Sequence, residues 1–92
     1  MDQSEKNEFL LMQLILMFQT TALQQMGKLK NPLTDKIEKN LEMAQTSIDI
    51  LDMLHQKMKG NLSENEEKLF IDVLKELKLN YVDEVSKEQK TN

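Results

Sequence analysis

The sequence predicts an all-α protein folded as a three-helix antiparallel bundle. Three observations predict it. No run alternates apolar and polar residues with β-branched enrichment, so no strand is expected. Three stretches instead carry apolar residues at spacings of three and four, the period of a helix. Between them stand Gly27, Asn31-Pro32 and Gly60, residues that end helices and open turns. Short connectors make consecutive helices antiparallel neighbours. The helices are expected at about residues 4–26, 39–58 and 63–83. One helical domain then covers residues 1–84, and residues 85–92 form a polar tail expected to be disordered.

The first helix carries the most unusual stretch of the chain. Of the ten residues Phe9 to Phe18, nine are apolar and only Gln13 is not. At 100° per residue, Leu11, Ile15, Phe18, Ala22 and Met26 share one face, flanked by Met12, Leu16 and Leu23. Gln13, Thr20 and Gln24 make a narrow polar stripe opposite. Leu10, Leu14 and Met17 form a second apolar strip outside the main face. Gln19 projects into the apolar arc and needs a hydrogen-bond partner if buried. Ser4 is the expected cap, with Glu5 and Glu8 near the positive end of the helix dipole. Gly27 supplies the left-handed residue after the last turn.

Lys28 to Lys39 is a connector in which Leu29, Leu33 and Ile37 are expected to dip back onto the core. The second helix starts between Asp35 and Asn40. Asp35 with Glu38 reads as a capping box; Asn40 is the preferred alternative. Ile37, Leu41, Ala44, Ile48, Leu51, His55 and Met58 then form a heptad seam. Met43, Ile50 and Leu54 are expected to widen it toward a second neighbour. Lys57 and Lys59 sit at the negative end of the dipole, before Gly60.

Ser63-Glu64-Asn65-Glu66 is a capping box that opens the third helix. Its inward face is Leu69, Phe70, Val73, Leu74, Leu77 and Tyr81, with Ile71 and Val82 as a minor strip.

Composition narrows the function. The 92 residues carry a net charge of −4, and all twelve basic residues are Lys. A nucleic-acid partner is therefore not expected: there is no basic footprint and no Arg fork for phosphate or guanine. With no Cys there is no thiolate nucleophile or Cys-ligated zinc, and a reducing, cytoplasmic setting is expected. The first residues are mostly polar and acidic, unlike a secretory signal. The dense apolar run of ten residues is about half of what a membrane-spanning helix needs.

Residue inventory argues against catalysis. His55 is the only His, so no Ser-His-acid arrangement is expected. Asp52 and His55 make an Asp-x-x-His element like those of di-metal helical bundles, but the further inward carboxylates such sites need are missing. Glu64, Glu66 and Glu67 sit where acids complement a helix N-terminus. No catalytic, cofactor-binding or metal-binding residue is assigned. Among the seven Met, Met12, Met26, Met43 and Met58 are expected in the core, while Met17 and Met53 project away from it.

Packing supplies the functional expectation. Two neighbours cover a helix on two sides, which leaves Leu10, Leu14 and Met17 facing water. An apolar strip of that kind marks an interface, and the cheapest partner is a second copy related by a two-fold axis. Phe9, Leu10, Leu14, Met17 and Met53 are the candidate interface. The expected protein is a self-associating interaction, scaffold or regulatory protein, with a dimer favoured and a further protein partner possible. The alternative is a peripheral membrane protein that lays the same helix on a bilayer surface.

Several stretches together resemble one family. They are Asn31-Pro32-Leu33-Thr34, Asn40 to Ala44, Ser47 to Leu54, Lys59-Gly60-Asn61-Leu62-Ser63 with Glu66-Glu67, and Leu74 to Leu77 through Tyr81. The chain over about residues 9 to 82 is similar to a family of short bacterial proteins known as a domain of unknown function, number eighteen-forty-four. That family often has Gly where Asp35 stands, Thr where Met58 stands and Arg near Lys78. The resemblance implies a small all-helical protein. It implies no reaction, and it carries over no site residues.

Overall fold

A computed structural model describes the backbone of residues 1–91 and the side chains of residues 1–89. The helices are α1 (Gln3–Gln25), α2 (Leu41–Lys57) and α3 (Glu64–Thr91). All three pack against one another, and no strand occurs among the described residues beyond one isolated Asn31–Lys36 bridge.

Each boundary has a local chemical cause. Helix α1 starts at Gln3, one residue before the expected bound. Asp2, not Ser4, is the cap, and its carboxylate accepts the Glu5 N–H at 2.8 Å. A carboxylate takes that bond more strongly than a hydroxyl does. The helix ends at Gly27, which has φ +84. The Lys28 N–H donates to the Leu23 carbonyl and the Gly27 N–H to the Gln24 carbonyl, the crossed pair of a Schellman motif.

Of the two alternatives for α2, Asn40 caps it, accepting the Met43 N–H at 3.0 Å. Glu38 is engaged elsewhere: it accepts the Thr34 hydroxyl. Asp35 takes the left-handed conformation, φ +57, inside a turn closed by its own N–H to the Asn31 carbonyl. Ser63 and Glu66 form the expected reciprocal box, at 3.1 Å and 2.7 Å.

The core is Ile15, Ala22 and Met26 of α1, Ala44, Ile48 and Leu51 of α2, and Phe70, Val73, Leu74 and Leu77 of α3. These are the inward residues that the helical spacing selects. Cross-links set the topology. Gln25 lies on Ser47, Gln19 on Glu76, and Lys28 on Asp83. Helices α1 and α3 therefore run parallel, with α2 antiparallel between them in sequence. The body measures 51 × 27 × 16 Å.

Four expectations need correction. The polar segment after residue 84 is no tail: α3 continues through it to Thr91, while Asn92 lies outside the described residues. Glu84 occupies an inward position seven residues after Leu77 and is buried against lysines, which carries the helix onward. The connector leucines do not return to the core. Leu33 is 93% exposed, and Leu29 and Ile37 are exposed as well, because the Asn31–Lys36 turn closes on its own hydrogen bonds and points outward. Met43 and Ile50 stay exposed while Leu54 packs on the core; α2 thus buries a narrower arc than its apolar pattern allows. Leu16, read as a core flank, is exposed as well.

Candidate interaction surface

Two polar contacts orient α1 in the bundle. The Ser47 hydroxyl donates to Gln25 Oε1 at 2.7 Å, so that side of α1 faces α2. Gln19 Nε2 donates to Glu76 Oε1 at 3.0 Å, so the other side faces α3. Gln19 thereby receives the partner that its position demands. With Ile15 and Ala22 buried between these contacts, the rest of the circumference looks outward.

On that outward face stand Phe9, Leu10, Leu14, Leu16 and Met17, all exposed. At 100° per residue, Leu10, Leu14 and Met17 lie toward α2, Phe9 and Leu16 toward α3, with Gln13 and Thr20 between them. Met17 is the most open at 65%, and Leu14 the least at 38%. Gln13, Leu16, Met17, Thr20 and Thr21 line a shallow hollow on this face. A second hollow joins Thr21, Gln24 and Gln25 to Met43 and to Lys39 and Asn40 of the connector.

Four of the five candidate residues are exposed on α1, with Leu10, Leu14 and Met17 on the α2 side of the Gln13–Thr20 stripe and Phe9 on its α3 side. Met53 is exposed but lies further round α2, near its outermost line. Met43 and Ile50 extend the face instead, on the side of α2 that also carries Ser47. Sequence reasoning missed Leu16, Met43 and Ile50. Each stands at the margin of an apolar arc, where periodicity cannot say whether a neighbour reaches.

The face carries almost no charge. No residue from Phe9 to Gly27 is ionisable. Charge gathers instead at the opposite end of α1. Lys28 Nζ lies 2.7 Å from Glu84 and 3.0 Å from Asp83; Lys39 Nζ and Lys87 Nζ each lie 3.0 Å from Glu84. Lys28, then Lys87 and Lys39, hold the Glu84 carboxyl down at about 2. Glu84, and after it Asp83, push Lys28 up to about 12. This cluster fastens α3 to both ends of the connector. Its cations are matched by carboxylates, so it offers no open anion site.

His55 lies between α2 and α3. Its Nε2 is 2.7 Å from Glu67 Oε1, and its ring stacks on Phe70 with centroids 5.1 Å apart. Asp52 turns to Lys78 at 3.5 Å. Among the described residues, no three His, Cys, Asp or Glu side chains converge in a way that could hold a metal ion. No helix among them is long and apolar enough to cross a membrane.

Fold and surface together define a small three-helix bundle that leaves apolar residues of α1 open to solvent. The chain belongs to the family described as Domain of unknown function (DUF1844), which matches residues 8–83. No curated protein and no solved structure matches it.

Proposed function

We propose that this protein is a non-catalytic interaction protein that works through the outward face of α1, and that a second copy of the chain covers that face. One observation carries the reading: Phe9, Leu10, Leu14, Leu16 and Met17 remain exposed after all three helices have packed. With Met43 and Ile50 they present roughly 600 Å² per chain, at the top of the range for a monomer's largest patch and near the 800 Å² per partner of a stable interface. Charge permits a copy as the occupant. Two chains of net charge −4 repel in general, and the uncharged span Phe9 to Gly27 is where they approach without opposing like charges.

Sedimentation equilibrium or light scattering at micromolar concentration tests this. The expected mass is twice that of the chain, and a compact monomer overturns the reading. Leu14→Glu is expected to weaken association, while Asp49→Lys on the exposed outer side of α2 leaves it intact. Equal effects on mass remove this face from the interface. The competing occupant is a bilayer surface. Flotation with vesicles of mixed neutral and anionic lipid separates the two: recovery of a monomer in the lipid fraction replaces self-association with membrane attachment.

A further inference from the structure

We infer that the two copies meet α1 against α1 in antiparallel fashion, about a two-fold axis passing close to Gln13. This rests on the self-association proposed above and specifies its geometry.

The exposed apolar residues of α1 fall between Phe9 and Met17, and Gln13 is their midpoint. A two-fold axis across the helix at Gln13 pairs each residue with the one equally far on the other side. The axis also keeps the α2 side of one copy against the α2 side of the other, so Leu10 of one copy meets Met17 of the other on that side, and Phe9 meets Leu16 on the α3 side. Leu14, on the α2 side, stands at a height between Leu14 and Leu10 of the partner, so each exposed apolar side chain of α1 meets apolar surface on its own side, as an isologous interface requires. The two Gln13 amides meet on the axis. Each carries both donor and acceptor, so they satisfy one another. Beyond the apolar segment lie Thr20, Thr21 and Gln24, which receive the polar N-terminal turn of the partner.

The parallel arrangement conserves apolar contact but loses on charge. Lys6 lies on the same outward line of α1 as Gln24. Parallel packing puts the two Lys6 side by side, and likewise the acidic first turns holding Asp2 and Glu5. It also aligns the two helix dipoles. Antiparallel packing sets Lys6 against Thr20 of the partner and opposes the dipoles.

The natural absence of Cys makes the test direct. Gln13→Cys, Phe9→Cys and Leu16→Cys replace exposed side chains, and circular dichroism checks that each variant keeps its helicity. Each is oxidised mildly in the full chain. A disulfide needs the two Cα atoms within about 7 Å, so only positions at the axis link to themselves. Gln13→Cys is expected to give a band of doubled mass. Phe9→Cys alone is expected to remain single, and Phe9→Cys mixed with Leu16→Cys is expected to give the linked pair. Self-linkage of Phe9→Cys as fast as that of Gln13→Cys overturns the antiparallel geometry in favour of the parallel one. A dimer by sedimentation with neither pattern of linkage overturns the α1–α1 contact while leaving self-association standing. A monomer by sedimentation overturns self-association itself.

Discussion

Glu84 Oε2 lies 2.7 Å from Lys28 Nζ, joining the last turns of α3 to the residue that follows Gly27. Glu84 is nearly buried, and its other oxygen lies 3.0 Å from Lys39 at the far end of the connector. One carboxylate thus holds both ends of the α1–α2 connector against α3. Removing one partner of a buried ionic cluster leaves the others uncompensated.

The pH dependence follows from the direction of the shift. The Glu84 pKa falls from 4.5 to about 2 on folding. A depressed carboxylate contributes stability that is fully present above its unfolded pKa and is lost as pH falls through the folded one. Urea midpoints are expected to drop between about pH 4.5 and 2. Glu84→Gln is expected to be less stable at pH 7 and to lose less on acidification. An unchanged acid limb in that variant assigns the loss to other carboxylates.

Gly27 and Gly60 are both left-handed, with φ +84 and +88. A Cβ at Gly27 meets Lys39 and Ile37 at ordinary distances of 3.5 to 3.6 Å, and one at Gly60 meets nothing within 4 Å. The cost of Ala is therefore backbone strain in both cases. Each Gly→Ala variant is expected to lose about 1 kcal/mol in denaturant titration. A much larger loss at Gly27 points to packing instead.

Asp35 holds φ +57 without being glycine. Asp35→Gly removes that strain and adds freedom to the unfolded chain, and the net expected gain is up to about 1 kcal/mol. Asp35→Val is expected to destabilise, because a β-branched residue tolerates this conformation worst. Melting temperatures of the pair read out the difference in sign.

Ser63→Ala removes the hydroxyl that accepts the Glu66 N–H at 3.1 Å, while the backbone N–H of residue 63 still donates to Glu66 Oε1. A loss of about 1 kcal/mol, up to about 2, is expected from equilibrium unfolding. Ser63→Asp restores the acceptor and is expected to recover most of it.

Ile15 is fully buried and Leu33 is 93% exposed. Ile15→Ala is expected to cost about 2–5 kcal/mol, and Leu33→Ala less than about 0.5 kcal/mol. Had the connector leucines packed onto the core, the second value would approach the first. Calorimetry of the two variants distinguishes these cases.

Much of the fold is written in short-range pattern. The stops at Gly27 and Gly60, the caps at Asn40 and Ser63, and the buried stripes through Ile15, Ile48 and Phe70 can all be read from neighbours within a few residues. These features depend on φ preference, local hydrogen bonding and helical period, which consecutive residues determine among themselves. The outward strip of Leu10, Leu14 and Met17 is legible for the same reason: too many sides of one helix are apolar for two neighbours to cover.

Tertiary packing decided the rest. Leu16 and Leu23 flank the same α1 face, yet Leu23 packs on the core and Leu16 faces water. Met43 and Leu54 flank the same α2 seam and divide in the same way. Coverage at the edge of an arc depends on where the neighbouring helices lie, which periodicity does not contain. The link from Lys28 to Glu84 likewise joins residues far apart in the chain, and it turns a polar segment into the last turns of α3. Short-range pattern determined which helices form and which faces they bury. Long-range proximity decided where each buried face ends, and so how much apolar surface the folded chain leaves to water.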